Sequence, residues 1–98
     1  MEDKVSIIMS VYNEDKEQLK SSIESILNQT YKNIEFIIVL DNPCEYWKEN
    51  FIKSYKDNRI KFFINQKNIG LTKSLNKALK ETTGNYIARM DADDISMP

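Results

Sequence analysis

Two stretches of this chain are nearly continuous runs of apolar, largely β-branched residues: Val5-Ser6-Ile7-Ile8-Met9-Ser10-Val11-Tyr12 and Ile34-Glu35-Phe36-Ile37-Ile38-Val39-Leu40. Runs of this length and kind read as strands buried on both faces, which belong to parallel sheets flanked by helices. The residues between them agree. Leu19, Ile23, Ile26 and Leu27 recur at i, i+4, i+7 and i+8, the apolar stripe of an amphipathic helix. Asn13-Glu14-Asp15 supply turn and helix-start residues before that stripe.

The pattern repeats downstream. A helix is expected over 45–56, with Trp47, Phe51 and Tyr55 on one face reading as core packing. Ile60 to Ile64 reads as a short third strand, and Asn65-Gln66-Lys67-Asn68-Ile69-Gly70 as a loop. Leu71, Leu75, Ala78 and Leu79 repeat the helical stripe, with Gly84 placed as its C-terminal cap, and Tyr86 to Met90 forms a fourth strand. The order β-α-β-α-β-α-β specifies an α/β fold, a three-layer αβα sandwich around a mainly parallel four-stranded sheet. Right-handed crossovers leave few arrangements, and strand order 3-2-1-4 is the one expected. In it the chain winds outward from strand 1 and then reverses, opening a crevice between the C-terminal ends of strands 1 and 4.

The residues delivered to that crevice are Ser10, Tyr12 and Glu14 from strand 1 and Asp91-Ala92-Asp93 after strand 4, with Asp41 beside them. In extended backbone Asp91 and Asp93 point to one side. Two hard anionic oxygen ligands there suit Mg²⁺ or Mn²⁺, above all when substrate phosphates complete the octahedron. Tyr12 is suited to stack on a base, and Asp41 to accept from an imide or a ribose hydroxyl. Together they suit a nucleoside diphosphate. Each has a plainer alternative: a strand-end aromatic for Tyr12, a turn residue for Asp41, a first-turn acid for Glu14 and an acidic helix cap for the Asp91–Asp94 cluster.

Composition removes several other classes. A net charge of −1 without a basic block argues against nucleic-acid binding. No apolar run is long enough for a membrane span, and Met1-Glu2-Asp3-Lys4 does not open a signal peptide, so a cytoplasmic location is expected. Histidine is absent and Cys44 is the single cysteine, which excludes His-based triads, His-ligated metals and disulfide frameworks. With only Gly70 and Gly84, no Gly-rich phosphate loop of Rossmann or P-loop type can be built.

At these residues the chain resembles a known family. Val5 to Glu14, Ser25-Ile26-Leu27-Asn28-Gln29-Thr30-Tyr31, Asn68-Ile69-Gly70-Leu71 and above all Gly84 to Pro98 resemble the N-terminal half of the inverting nucleotide-sugar glycosyltransferases of family 2. These enzymes have the glycosyltransferase-A fold, whose N-terminal half is Rossmann-like. The resemblance implies that Ser10 and Tyr12 line the base pocket, Glu14 its rim, and Asp41 contacts the base. Asp91 and Asp93 match the DxD motif, with Asp93 the metal ligand and Asp91 nearer the ribose. It implies a nucleotide-sugar donor, with UDP expected, a divalent cation, and a carbohydrate or lipid-linked acceptor in glycan, polysaccharide or cell-envelope synthesis. The family's Asp-Asp-Gly-Ser is here Leu40-Asp41-Asn42-Pro43.

In the resembled family the catalytic base lies beyond the DxD motif, so residues 1–98 read as one donor-binding subdomain truncated after that motif, with the base expected beyond Pro98. The parent would be cytoplasmic, or peripheral at the inner face of the membrane. Four other readings compete with this one. A non-catalytic nucleotide-diphosphate module describes the isolated chain. An Asp-nucleophile phosphotransferase is disfavoured because its motif opens the domain and carries Thr or Val where Ile95 stands. A sugar nucleotidyltransferase needs a Gly-rich loop after strand 1, and an EF-hand loop fails at Ser96, where Gly is required. Order 3-2-1-4 also leaves strand 4 as an outer strand, where pairing with a second copy would give a homodimer.

Overall fold

The computed structural model describes residues 3–12, 14–28, 32–41 and 46–90. Among the described residues seven elements alternate: β1 (Val5–Val11), α1 (Lys16–Leu27), β2 (Ile34–Leu40), α2 (Tyr46–Lys53), β3 (Ile60–Ile64), α3 (Leu71–Lys80) and β4 (Tyr86–Arg89). The four strands form one parallel sheet in the order β3-β2-β1-β4, as the sequence implied. Ser10 lies beside Val39 and Val11 beside Leu40, so the C-terminal ends of the two central strands are level.

The two sheet faces have different coverings. Ile7, Met9, Val11, Ile34, Phe36, Ile38 and Leu40 pack with Leu19, Ile23 and Ile26 of α1 and Ile52 of α2. Ile8, Ile37 and Val39 pack with Ala78 and Leu75 of α3. The period-2 alternation of a strand thereby divides an apolar run between two cores. The α3-side face is polar at both ends: Ser6 and Glu35 at one, Ser10 and Asp41 at the other, all buried.

α1 begins as its sequence directs. Asp15 accepts from the Gln18 N–H at 2.8 Å, and the Gln18 side chain accepts from the Asp15 N–H at 3.1 Å. This reciprocal capping box satisfies two donors that helix geometry leaves open.

Three sequence expectations are corrected. Phe51 on α2 and Tyr55 just after it pack half-buried against the core as expected, but Trp47 stands 38% exposed, and the fully buried side chains of α2 are Lys48 and Ile52. On α3, Leu75 and Ala78 pack on the sheet as expected, but Leu71 and Leu79 are exposed and Ser74 is buried in their place, because the helix turns its small residues to the sheet. Gly84 is not the cap of α3, which ends at Glu81. A Cβ on Gly84 would stand 2.6 Å from Ser6 Oγ and 2.8 Å from both Lys4 O and Ser6 N. The missing side chain is what lets the α3–β4 turn lie against β1.

Candidate functional site

Parallel register brings Ser10, Tyr12 and Asp41 to one end of the sheet, on the face that α3 covers. They line a cavity of about 390 Å³ together with Glu14, Asn68, Gly70 and Leu71. The cavity therefore lies between the C-terminal ends of β1 and β2 and the N-terminus of α3. Open parallel sheets bind ligands at this end.

Four of the residues expected at a site thus come together. Ser10 is buried at the back of the strand, while Tyr12 is 50% exposed and offers a ring to the opening. Glu14 is held at the rim, where its Oε1 accepts the Tyr12 N–H at 2.8 Å. Behind Tyr12, Lys48 reaches from α2 and donates from Nζ to the Tyr12 carbonyl. Lys48 is 1% exposed, an unusual burial for a lysine. Its sequence signal was slight: it shares a helix face with Ile52 and Tyr55.

Asp41 is 2% exposed and heavily engaged. Its Oδ1 accepts from Asn65 Nδ2 at 2.7 Å and from the Ile69 N–H at 2.9 Å, and its Oδ2 accepts from the Gly70 N–H at 2.9 Å. The Asp41 main chain joins in: its N–H donates to Val11 O at 2.7 Å and its carbonyl accepts from Asn68 Nδ2 at 3.1 Å. The carboxylate therefore fastens the 65–70 loop across the sheet end. Gly70 closes that loop with φ of 92°, a left-handed value that disfavours side chains.

Asn68, Gly70 and Leu71 complete the cavity wall, roles that composition and spacing alone did not assign. The signal available was a polar loop with one of the chain's two glycines, directly after a strand. Asp91 and Asp93 lie outside the described residues. The chain leading to them is placed: Arg89 pairs with Ile8, and the Met90 N–H donates to Ile8 O at 3.0 Å. Among the described residues no group of three acidic or other metal-ligating side chains gathers.

A model of the glycosyl transferase family 2 matches residues 6–98. The chain belongs to that family. It is 53% identical over 96 residues to the uncharacterized glycosyltransferase MJ1057 of Methanocaldococcus jannaschii, covering 96% of this chain and 33% of that protein. It is 40% identical over 99 residues to the O-antigen biosynthesis glycosyltransferase WbnJ of Escherichia coli, covering 98% of this chain and 38% of the relative. The chain thus spans about a third of the length of these relatives. Among solved structures, the mannosyltransferase PcManGT of Pyrobaculum calidifontis, in complex with GDP-Man and Mn²⁺, superposes with a TM-score of 0.81. That match covers 97% of this chain and 29% of the other at 21% identity, a likeness of fold. S. aureus TarS 1–349 gives the same TM-score at 25% identity, covering 94% of this chain and 28% of the other.

Proposed function

We propose that this chain is the donor-binding part of an inverting glycosyltransferase that takes its sugar from a nucleoside diphosphate, with UDP the expected nucleotide. The observation that carries the reading is the cavity at the sheet's C-terminal end, lined by Ser10, Tyr12, Glu14 and Asp41 in a chain of family 2. Tyr12 supplies an aromatic face for the base, Ser10 a hydroxyl behind it, and Glu14 a carboxylate at the rim. Asp41 forms the floor, where Oδ2 keeps an acceptor position for a base or ribose donor.

Asp91 follows Met90 directly in sequence, and Asp93 comes after one intervening alanine, Ala92. Two carboxylates separated by one residue fit a hard cation such as Mn²⁺ or Mg²⁺, with Asp93 the direct ligand and Asp91 shared with the ribose. The Mn²⁺ and GDP-Man carried by the mannosyltransferase of like fold support this reading. Bound there, the cation would neutralise charge on the departing diphosphate. The chain's own contribution is to hold the base, fix the loop that walls it and exclude water from the buried floor.

The acceptor would be a carbohydrate or lipid-linked hydroxyl, in glycan, polysaccharide or cell-envelope synthesis at the cytoplasmic side. No helix among the described residues is long and apolar enough to cross a membrane. A copy of the chain paired through β4 is part of the proposal, because all four residues of this outer strand are exposed, with Tyr86 at 61% and Ile87 at 50%.

Binding of nucleoside diphosphates to the chain and to Asp93→Asn, with Mn²⁺ present, tests the reading. Metal-linked affinity should fall in the variant while the melting temperature holds or rises slightly, since crowded like charge is relieved. A variant that melts several degrees lower yet binds as before would make Asp93 a structural cap.

A further inference from the structure

Behind the cavity wall lies a buried polar network that none of the expected site residues explains. Asn65 is 2% exposed and Ser74 is fully buried, and Asn65 stands between Ser74 and the buried Asp41. Asn65 Nδ2 donates to Asp41 Oδ1 at 2.7 Å and to Ser74 Oγ at 3.0 Å. Asn65 Oδ1 accepts from Lys77 Nζ at 2.8 Å. An ammonium only donates and an ionised carboxylate only accepts, so these two neighbours fix which way the amide faces. The Asn65 N–H in turn donates to Leu40 O at 2.9 Å, which continues the β2–β3 pairing into the loop.

We infer that Asn65 is a positioning residue for the donor cavity, acting through the Asp41 carboxylate on the loop that carries Asn68 and Gly70 and leads into Leu71, the first residue of α3. Asn65 is not among the residues that line the cavity, but three of the seven lining positions belong to the segment it secures. Its bond to Oδ1 leaves the Asp41 carboxylate turned so that Oδ1 meets the Ile69 N–H and Oδ2 meets the Gly70 N–H. Lys77 and Ser74, both on α3, make the helix part of the same clamp. Without Asn65, a buried carboxylate loses one of its three donors and its orientation. The loop amides then lose a fixed acceptor, and the wall of the cavity loosens. The effect should be blind to the base, because Asn65 touches none of the cavity surface.

This inference rests on the donor-site reading of the cavity, and the test separates the two. Affinities for UDP, GDP and CDP with Mn²⁺ would be measured by calorimetry for the unaltered chain, Asn65→Ala and Asn65→Asp, together with hydrogen exchange at the Ile69 and Gly70 amides. The expected result is about tenfold weaker binding in Asn65→Ala, the scale of a lost hydrogen bond to a charged group. The loss should be similar for every nucleotide bound, with their ranking kept and both amides exchanging faster. Asn65→Asp should lose more, since it sets one carboxylate against another. If either variant fails to fold, Ser74→Ala, which removes only one partner of Asn65, should show the same changes more weakly. Unchanged affinity in a folded Asn65→Ala chain, or a loss confined to one base, overturns the inference. An unaltered chain that binds none of the three nucleotides instead overturns the reading of the cavity, and the inference with it.

Discussion

Glu35 in β2 and Asp41 just after it stand six residues apart on the face that α3 covers, and each is a buried carboxylate surrounded by donors. At Glu35 the donors are Lys61 Nζ at 2.8 Å, Ser6 Oγ at 2.5 Å, and the Thr83 N–H and hydroxyl. Burial alone would raise its pKa, but the Lys61, Ser6 and Thr83 hydrogen bonds together prevail and hold it at about 2, below the usual 4.5. A folded-state pKa below the unfolded one gives stability that is complete above about pH 4.5 and lost as pH falls through about 2. Glu35→Gln should therefore cost about 2–4 kcal/mol at neutral pH. It should also flatten the fall in stability between those two pH values. Urea titrations at a series of pH values check both. Some acid sensitivity should persist, because the Arg59 hydrogen bonds hold Asp57 at about 2 as well. None of the Glu35 cluster was legible in the sequence: Ser6, Lys61 and Thr83 lie 29, 26 and 48 residues from Glu35, and a lone acid in an apolar run names no partner. Tyr12, Ser10 and Asp41 were legible because each sits at the end of a strand whose direction the run already gave.

Among elements, the turn between α3 and β4 carries the tightest approach. Gly84→Ala would press a methyl group against Ser6 Oγ and against two backbone atoms, Lys4 O and Ser6 N, that cannot swing aside. A cost of about 1–3 kcal/mol is expected, read from thermal melts, with β4 the first strand to lose amide protection. Asp15→Ala, which removes the capping box of α1, should cost about 1 kcal/mol. The four strands and three helices were readable from period and punctuation, since buried parallel strands leave unbroken apolar runs. Which face each helix buries was less so. The stripe of α3 named Leu71, Leu75, Ala78 and Leu79; Leu75 and Ala78 do pack on the sheet, whereas Leu71 and Leu79 are exposed and Ser74, outside the stripe, is buried. Periodicity records where apolar residues fall, but close helix–sheet contact selects small ones. The polar use of Ser74 by Asn65 is a tertiary fact that no local pattern carries.

For the whole molecule, sheet order decides what is exposed and what is gathered. β4 lies at the outer edge, with Tyr86, Ile87, Ala88 and Arg89 all exposed. Light scattering on a sizing column should show the chain self-associating at high concentration, and a clean 11.5 kDa monomer would contradict pairing through β4. The same order gathers Ser10, Tyr12, Glu14 and Asp41 at one cavity and ends β4 on the neighbouring strand, one residue before Met90 and two before Asp91. These parts are proposed to form one donor site, in which nucleotide and cation are held together. Calorimetric titration of UDP into the chain, with Mn²⁺ and then with chelator, measures that linkage directly. Binding should be clearly tighter with Mn²⁺ present, while Mn²⁺ alone binds weakly; equal UDP affinity in the two conditions would contradict a shared site.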